Sequence, residues 1–239
     1  MKFSNLARVY VTDSIVNNQS IIIEGDNFHY LKSAIRLKLS AKFRLFNSCD
    51  GEFLVEIIEI NRSSLCVHVR EFMRSVTQEA DLSLAMCIIK PDRMLEAIRG
   101  AVQIGVTSII PLISERTQYK TVNRDKFEKS IIQSTEQSEH FVPALLKDPM
   151  TLESFIQTND FEQIIFASEV ETDNNKIVNI NNLKDKIAVL IGPEGGFSDI
   201  EITTLKTYDH ILPVTLGRAV LRAETAAIAA LACVSMVRK

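Results

Sequence analysis

The sequence contains no run of about 18 or more apolar residues, which excludes the usual signal of a membrane-spanning helix. Met1 to Tyr10 has neither an apolar h-region nor a small-residue cleavage site, so no secretory signal peptide is expected. Cysteine is scarce and scattered: Cys49, Cys66, Cys87 and Cys233 form no C-x-x-C pair. The histidines, His29, His68, His140 and His210, fall at no metal-ligand spacing. These absences argue against a disulfide scaffold and against structural zinc, and suit a reduced, cytoplasmic chain with no metal. Cys233 lies in a small-residue helical pattern and is expected in the core. The G-x-G-x-x-G fingerprint and the Lys-Ser/Thr of a P-loop are both missing, which argues against a dehydrogenase or phosphotransferase. Neither an internal repeat nor a low-complexity tract is visible.

An overall basic charge is missing too, with 27 basic against 30 acidic residues and a net charge of −3. The distribution is informative where the total is not. Asn27 to Cys49 holds no acid but carries Lys32, Arg36, Lys38, Lys42 and Arg44, whereas Asp148 to Glu201 carries eleven acids against three lysines. A local basic face can attract phosphate on an acidic protein, and a solvated charged surface accounts for the same pattern.

What is present is ample core material. The 239 residues are 46% hydrophobic and 24% charged, enough for two modest domains. Residues 1–72 read as short strands at Arg8 to Val11, Ser20 to Glu24, Phe43 to Phe46, Glu52 to Ile60 and Ser64 to Arg70, with Asp50-Gly51 as a hairpin signal. A basic insert with helical character, Phe28 to Leu39, interrupts them, and a small β-barrel domain is expected. From about residue 73 to 239, strands alternate with helices. Strands are expected at Leu82 to Ile89, Ser108 to Ile113, Phe141 to Leu146, Gln163 to Ala167, Ile187 to Ile191 and Ile211 to Leu216. Pro91 opens the first helix of this part and Gly105 stops it, Asn123 caps the next, and Glu224 to Val237 closes the chain as a helix. Near-continuous apolar strands alternating with helices imply an α/β fold on a parallel sheet covered on both faces.

Three segments carry chemistry. Ile191-Gly192-Pro193-Glu194-Gly195-Gly196-Phe197-Ser198 leaves an apolar strand and enters a helix, with Ser198 and Glu201 spaced as a capping box. Glycines around a rigid proline let the backbone bend sharply and approach a ligand, at the strand end where α/β folds bind ligands. Leu216-Gly217-Arg218-Ala219-Val220-Leu221-Arg222-Ala223-Glu224-Thr225-Ala226 also runs from strand to helix, with Arg222 and Glu224 at its mouth. Its alanines permit close packing and are also simply good helix formers. Ser114-Glu115-Arg116-Thr117 and Glu136-Gln137-Ser138 place polar groups at element ends, where Arg116 could make bidentate contacts or a surface ion pair.

Together with Lys90-Pro91-Asp92-Arg93-Met94, Arg8-Val9-Tyr10-Val11 and the His29 to Arg36 stretch, these segments resemble the ribosomal RNA small subunit methyltransferase E family over nearly the whole chain. The resemblance implies a SPOUT-class, S-adenosylmethionine-dependent enzyme that methylates N3 of a uridine in 16S ribosomal RNA. It implies a PUA-like, RNA-binding barrel at 1–72 and, at 73–239, a methyltransferase domain with a deep trefoil knot, a rare exception to unknotted topology. It further implies a homodimer acting on the small ribosomal subunit. Carried onto this chain, the cofactor-binding residues are Ala167, Ser168 and Glu169, then Ile191, Gly192, Pro193, Glu194, Gly195 and Gly196, then Leu216, Gly217, Val220 and Leu221. This chain departs from the family pattern at Gln103-Ile104-Gly105, at Glu139-His140 and at Ser40-Ala41.

Methyl transfer from a sulfonium needs no metal but needs near-attack geometry. Uridine N3 becomes nucleophilic as its proton leaves, so the developing anion needs stabilisation, and the base must be unstacked. Arg222 is the catalytic candidate for holding the uracil oxygens or a phosphate, with Glu224 orienting it or capping the helix. Arg8, Lys32, Arg36, Lys38, Arg116 and Gln137 are the RNA-binding candidates.

Overall fold

Five strands alternate inward and outward side chains and share one sheet in the N-terminal part of the computed structural model, which describes residues 5–158, 160–168, 175–180 and 182–238. They are β1 (Arg8–Tyr10), β2 (Ser20–Ile23), β3 (Lys42–Asn47), β4 (Gly51–Ile60) and β5 (Leu65–Arg74), hydrogen-bonded in the order β1-β3-β4-β5-β2. β1 runs parallel to β3 and the other pairs are antiparallel. Asp50-Gly51 closes the β3–β4 hairpin as expected, with Asn47 Oδ1 accepting from the N–H groups of Cys49 and Asp50. Gly51 has φ +103°, and a Cβ there would lie 2.5 Å from the Arg74 carbonyl oxygen, so only glycine fits. Val9, Phe43, Leu45, Val55, Ile57, Leu65, Val67 and Val69 point inward and build the core. The basic insert is helical but shifted: α1 (Gly25–His29) runs into a π-helical turn at Tyr30–Ala34 and stops before Arg36, whose φ is +61°.

The chain divides into two compact units, Met1–Gln78 with Glu139–Val142, and Glu79–Ser138 with Pro143–Lys239. The short segment joins the first unit for a visible reason. Phe141 is buried edge-on to Phe46, at 6.0 Å between centroids, and Arg74 lies over its ring. The strand expected from Phe141 to Leu146 therefore shrinks to β8 (Leu145–Leu146), since Phe141 packs elsewhere and Pro143 lacks a ladder donor. Beside Phe141, Glu52 is fully buried and receives Arg8 Nε at 2.6 Å and Arg74 Nε at 2.5 Å. Glu139 completes the cluster, accepting from Arg44 at 2.8 Å and Arg74 at 2.8 Å. Burial alone would raise the Glu139 pKa, but the hydrogen bond from Arg44 and the charges of Arg44, Arg74 and Arg8 outweigh it and hold it below the ordinary value. Removing one partner of such a buried cluster is costly because a desolvated charge is left behind.

The second unit is the expected α/β fold. Its strands are β6 (Leu82–Cys87), β7 (Ser108–Ile113), β8, β9 (Met150–Thr151), β10 (Gln163–Ala167), β11 (Ile187–Ile191) and β12 (Ile211–Val214). All pairs are parallel, in the order β12-β10-β11-β6-β7-β8, with β9 also on β7. Successive residues serve opposite faces: Leu82, Leu84 and Met86 enter one core, and Ala85 and Cys87 the other. The first face is covered by α2 (Pro91–Ile104), α3 (Arg124–Gln137) and α6 (Ala223–Val237), and the second by α4 (Leu152–Gln157) and α5 (Asp199–Leu205). The alanine-rich α6 is at least partly a packing helix: Ala227, Ala230, Leu231 and Val234 are buried, with Cys233 partly buried against the same core. At Gly100 of α2, an added Cβ would come within 2.5 Å of Ile228 on α6. Among the described residues, no helix is long and apolar enough to cross a membrane.

Candidate functional site

Sheet order creates a crevice before any side chain is considered. After β10 the chain moves to its neighbour β11; after β11 it returns across β10 to β12. Loops leaving β10 and β11 thus diverge, and the carboxyl ends of diverging parallel strands are where open α/β sheets bind ligands. A cavity of about 580 Å³ lies there, lined by Phe166 to Ser168, Ile191 to Phe197, Thr215 to Ala223, and Glu224 and Ala226. It is of ordinary size for a small-molecule site.

Three segments widely separated in sequence therefore meet in one pocket. Ala167, Ser168, Ile191, Gly192, Pro193, Glu194, Gly195, Gly196, Leu216, Gly217, Val220 and Leu221 all line it, as do Arg222 and Glu224. Glu169 lies outside the described residues. The backbone at these loops is specialised. Gly196 has φ +65° and Gly217 has φ +122°, both in the positive-φ region that most side chains avoid. A Cβ at Gly192 would press the Phe197 ring at 3.1 Å. Thr215 Oγ1 donates to the Gly217 carbonyl and accepts the Gly217 N–H, each at 3.2 Å, tying off the second loop.

The first loop is braced at its exit. Ser198 caps α5 and forms the expected capping box: its Oγ accepts from Glu201 N–H at 3.3 Å, and Glu201 Oε2 accepts from Ser198 N–H at 2.8 Å. Glu201 Oε1 also accepts the Glu115 N–H at 2.8 Å, joining the loop after β7 to the start of α5. Arg116 adds a second tie, donating from Nη1 to the carbonyls of Gly195 at 3.1 Å and Phe197 at 3.2 Å. The sequence reading assigned Arg116 to RNA; the structure lays it against the glycine loop. Its neighbours Ser114 and Thr117 are buried and bonded to each other, which fixes the turn that presents it.

The two catalytic candidates line the cavity without pairing with each other, and the RNA-binding candidates are dispersed. Arg222 precedes α6 as its N-cap residue, with no side-chain cap, and is exposed. Glu224 is buried and pairs with Arg93 of α2 rather than with Arg222. Arg93 lines the cavity and was missed as a site residue; it stood only within the Lys90 to Met94 motif, and helix position alone does not tell that its partner is on α6. Gln137 ends α3, exposed. Lys32, Arg36 and Lys38 are exposed on the first unit, as docking residues must be. Arg8 is not: its side chain is 2% exposed, bonded to Glu52 and the His140 carbonyl, and stacked 3.4 Å over Phe46. A guanidinium so placed serves the interior of its unit, so Arg8 leaves the RNA-binding set. Among the described residues, no group of three or more His, Cys, Asp or Glu is arranged to hold a metal ion.

Comparison with known proteins agrees with this geometry. Residues 77–235 match the family model of an RNA methyltransferase domain, and residues 23–70 that of an RNA methyltransferase PUA domain. The chain is 37% identical over 232 residues to a ribosomal RNA small subunit methyltransferase E of Rickettsia conorii, covering 96% of this chain and 95% of that protein. It superposes on a protein named as a methyltransferase of Legionella pneumophila, solved with bound S-adenosylmethionine, with a TM-score of 0.83, 27% identity and 95% of each chain covered. The fold is also shared with a ribosomal RNA small subunit methyltransferase E of Neisseria gonorrhoeae, with a TM-score of 0.85, 22% identity and 97% of each chain covered.

Proposed function

The chain belongs to the ribosomal RNA small subunit methyltransferase E family, and from that premise we propose that it transfers a methyl group from S-adenosylmethionine to N3 of a uridine in 16S ribosomal RNA. The observation that carries this reading is the convergence of the three loops on one cavity at the carboxyl ends of β10, β11 and β12. The loops fit the cofactor: they offer backbone groups around glycines, which suits a nucleoside recognised by edge and shape rather than by a phosphate-binding cradle. Ala167 to Glu169, Ile191 to Gly196, Leu216, Gly217, Val220 and Leu221 would hold it. When bound, it supplies an activated methyl carbon on a sulfonium.

The chain's own residues must then hold the uridine and stabilise its developing N3 anion as the N3 proton passes to solvent water. Arg222, at the pocket mouth, is the catalytic residue: its guanidinium donates to the uracil oxygens, where negative charge develops. Preceding α6, it also sits at that helix's positive end, which favours an anion in the same place. Glu224 fixes the first turn of α6 from within.

The finer organisation is proposed on the same premise. The first unit, of which residues 1–72 are the main part, is an RNA-binding, PUA-like barrel that uses Lys32, Arg36 and Lys38, and Gln137 contributes an RNA contact from the other unit. The second unit, which lies within residues 73–239, is a SPOUT domain with a deep trefoil knot, acting as a cytoplasmic homodimer on the small ribosomal subunit. The test is mass spectrometry of ribosomal RNA from cells with and without the gene. Loss of one N3-methyluridine from 16S RNA, restored by the wild-type gene, is expected; an unchanged modification profile would refute the assignment.

A further inference from the structure

One charge pair in the pocket wall belongs to neither the glycine loop nor the loop after β12. Arg93 comes from the first turn of α2 and Glu224 from the first turn of α6, and Arg93 Nη1 donates to Glu224 Oε1. The Glu224 side chain is 6% exposed and that of Arg93 34%. Two features of the pair are incomplete. Glu224 Oε2 is shut away from solvent and has no hydrogen-bond partner. A buried carboxylate oxygen without a donor is costly and calls for an explanation. Arg93 has five N–H donors, and among the described residues its guanidinium makes no bond except that to Glu224. A cation at the start of α2 also gains nothing from the helix dipole, so its place there must come from what it contacts.

The wall therefore presents a cation with spare donors beside an anion with a spare acceptor. An α-amino acid zwitterion, carboxylate and ammonium on one carbon, is the complement of that arrangement. A lone phosphate would suit Arg93 but would meet the undercompensated Glu224 with like charge. We infer that Arg93 and Glu224 bind the amino-acid tail of the cofactor, its carboxylate on the Arg93 guanidinium and its ammonium on Glu224 Oε2 after a small side-chain rotation. The assignment rests on the cofactor reading above and adds to it the two side chains that recognise the tail.

The test compares two ligands by calorimetry: S-adenosylhomocysteine, which carries the amino acid, and 5′-methylthioadenosine, which lacks it. The wild type is expected to prefer the former. Because Arg93→Ala would strand a buried carboxylate, the informative variant is R93M/E224L, which replaces the pair with apolar side chains of similar size, a change that often leaves stability intact. It should lose roughly tenfold or more in S-adenosylhomocysteine affinity, the equivalent of one charge-assisted bond, and bind methylthioadenosine as before. Glu224→Gln should lose affinity for the same ligand alone. If both ligands weaken together, or the double variant keeps its preference, the assignment is overturned. If the wild type binds neither ligand, the cofactor reading itself falls, a distinct result.

Discussion

Arg116→Ala separates two roles for one arginine. Its Nη1 holds the Gly195 and Phe197 carbonyls at 3.1 and 3.2 Å, so the glycine loop loses both ties at once. Hydrogen bonds to a charged donor contribute about 1.5–3 kcal/mol each when desolvated. Here one nitrogen serves both carbonyls and the side chain is exposed, which reduces the combined contribution to about 1–2 kcal/mol. If only the ordered loop binds the cofactor, that energy appears as a lower competent population, and the affinity for S-adenosylhomocysteine should fall roughly 5- to 30-fold. The capping box at Ser198 and Glu201 remains, so α5 and the thermal midpoint should change little. Arg116→Lys should fall between, since an ammonium lacks the planar fork. Calorimetry gives the cofactor term, and methylation kinetics against RNA at several salt concentrations give the other. An unchanged cofactor affinity, with a higher KM for RNA and a salt slope flatter by about one, would refute the loop-holding role and restore Arg116 as a phosphate contact.

Glu52→Ala should destabilise the chain by about 3–5 kcal/mol, because Arg8 is left buried without its carboxylate; a change below about 1 kcal/mol in urea melts would contradict the cluster's role. Glu139 has a lowered pKa, so its stabilising contribution is complete above its ordinary value of 4.5 and fades as pH falls through the lower folded-state value. Glu139→Gln should accordingly cost stability at neutral pH, with the gap to wild type closing in acid; a gap that is constant across urea titrations from neutral to strongly acidic pH would exclude that origin. Arg222→Ala should abolish methylation while S-adenosylhomocysteine still binds, and full turnover in that variant would remove Arg222 from the mechanism. Burial pushes the Cys87 thiol up to about 11, so at neutral pH a thiol reagent should modify exposed Cys49 and spare Cys87 in the folded chain, which peptide mass mapping will read directly.

Much of the second unit was legible because its signals are local. Apolar runs such as Ile187–Ile191 could only be buried strands, and Pro91, Gly105, Asn123 and the Ser198–Glu201 box mark helix ends through hydrogen bonds that span a few residues. The glycine loops were legible for the same reason, since a positive φ at Gly196 or Gly217 is a property of one residue. Phe141 misled because its apolar character told only that it would be buried, not in which unit. Arg8 misled likewise: a cation at a strand start reads as surface until Glu52 is known to lie beside it.

The sequence by itself determined the periodicities, the turns, the helix caps and the family, all of which are written in neighbouring residues. Tertiary structure alone decided the partners: Glu224 with Arg93, Glu52 with Arg8 and Arg74, and Arg116 with the carbonyls of Gly195 and Phe197. Charge and hydrogen-bond chemistry act over a few ångströms, and residues 131 apart in the chain, like Arg93 and Glu224, come within that range only once the sheet order is set.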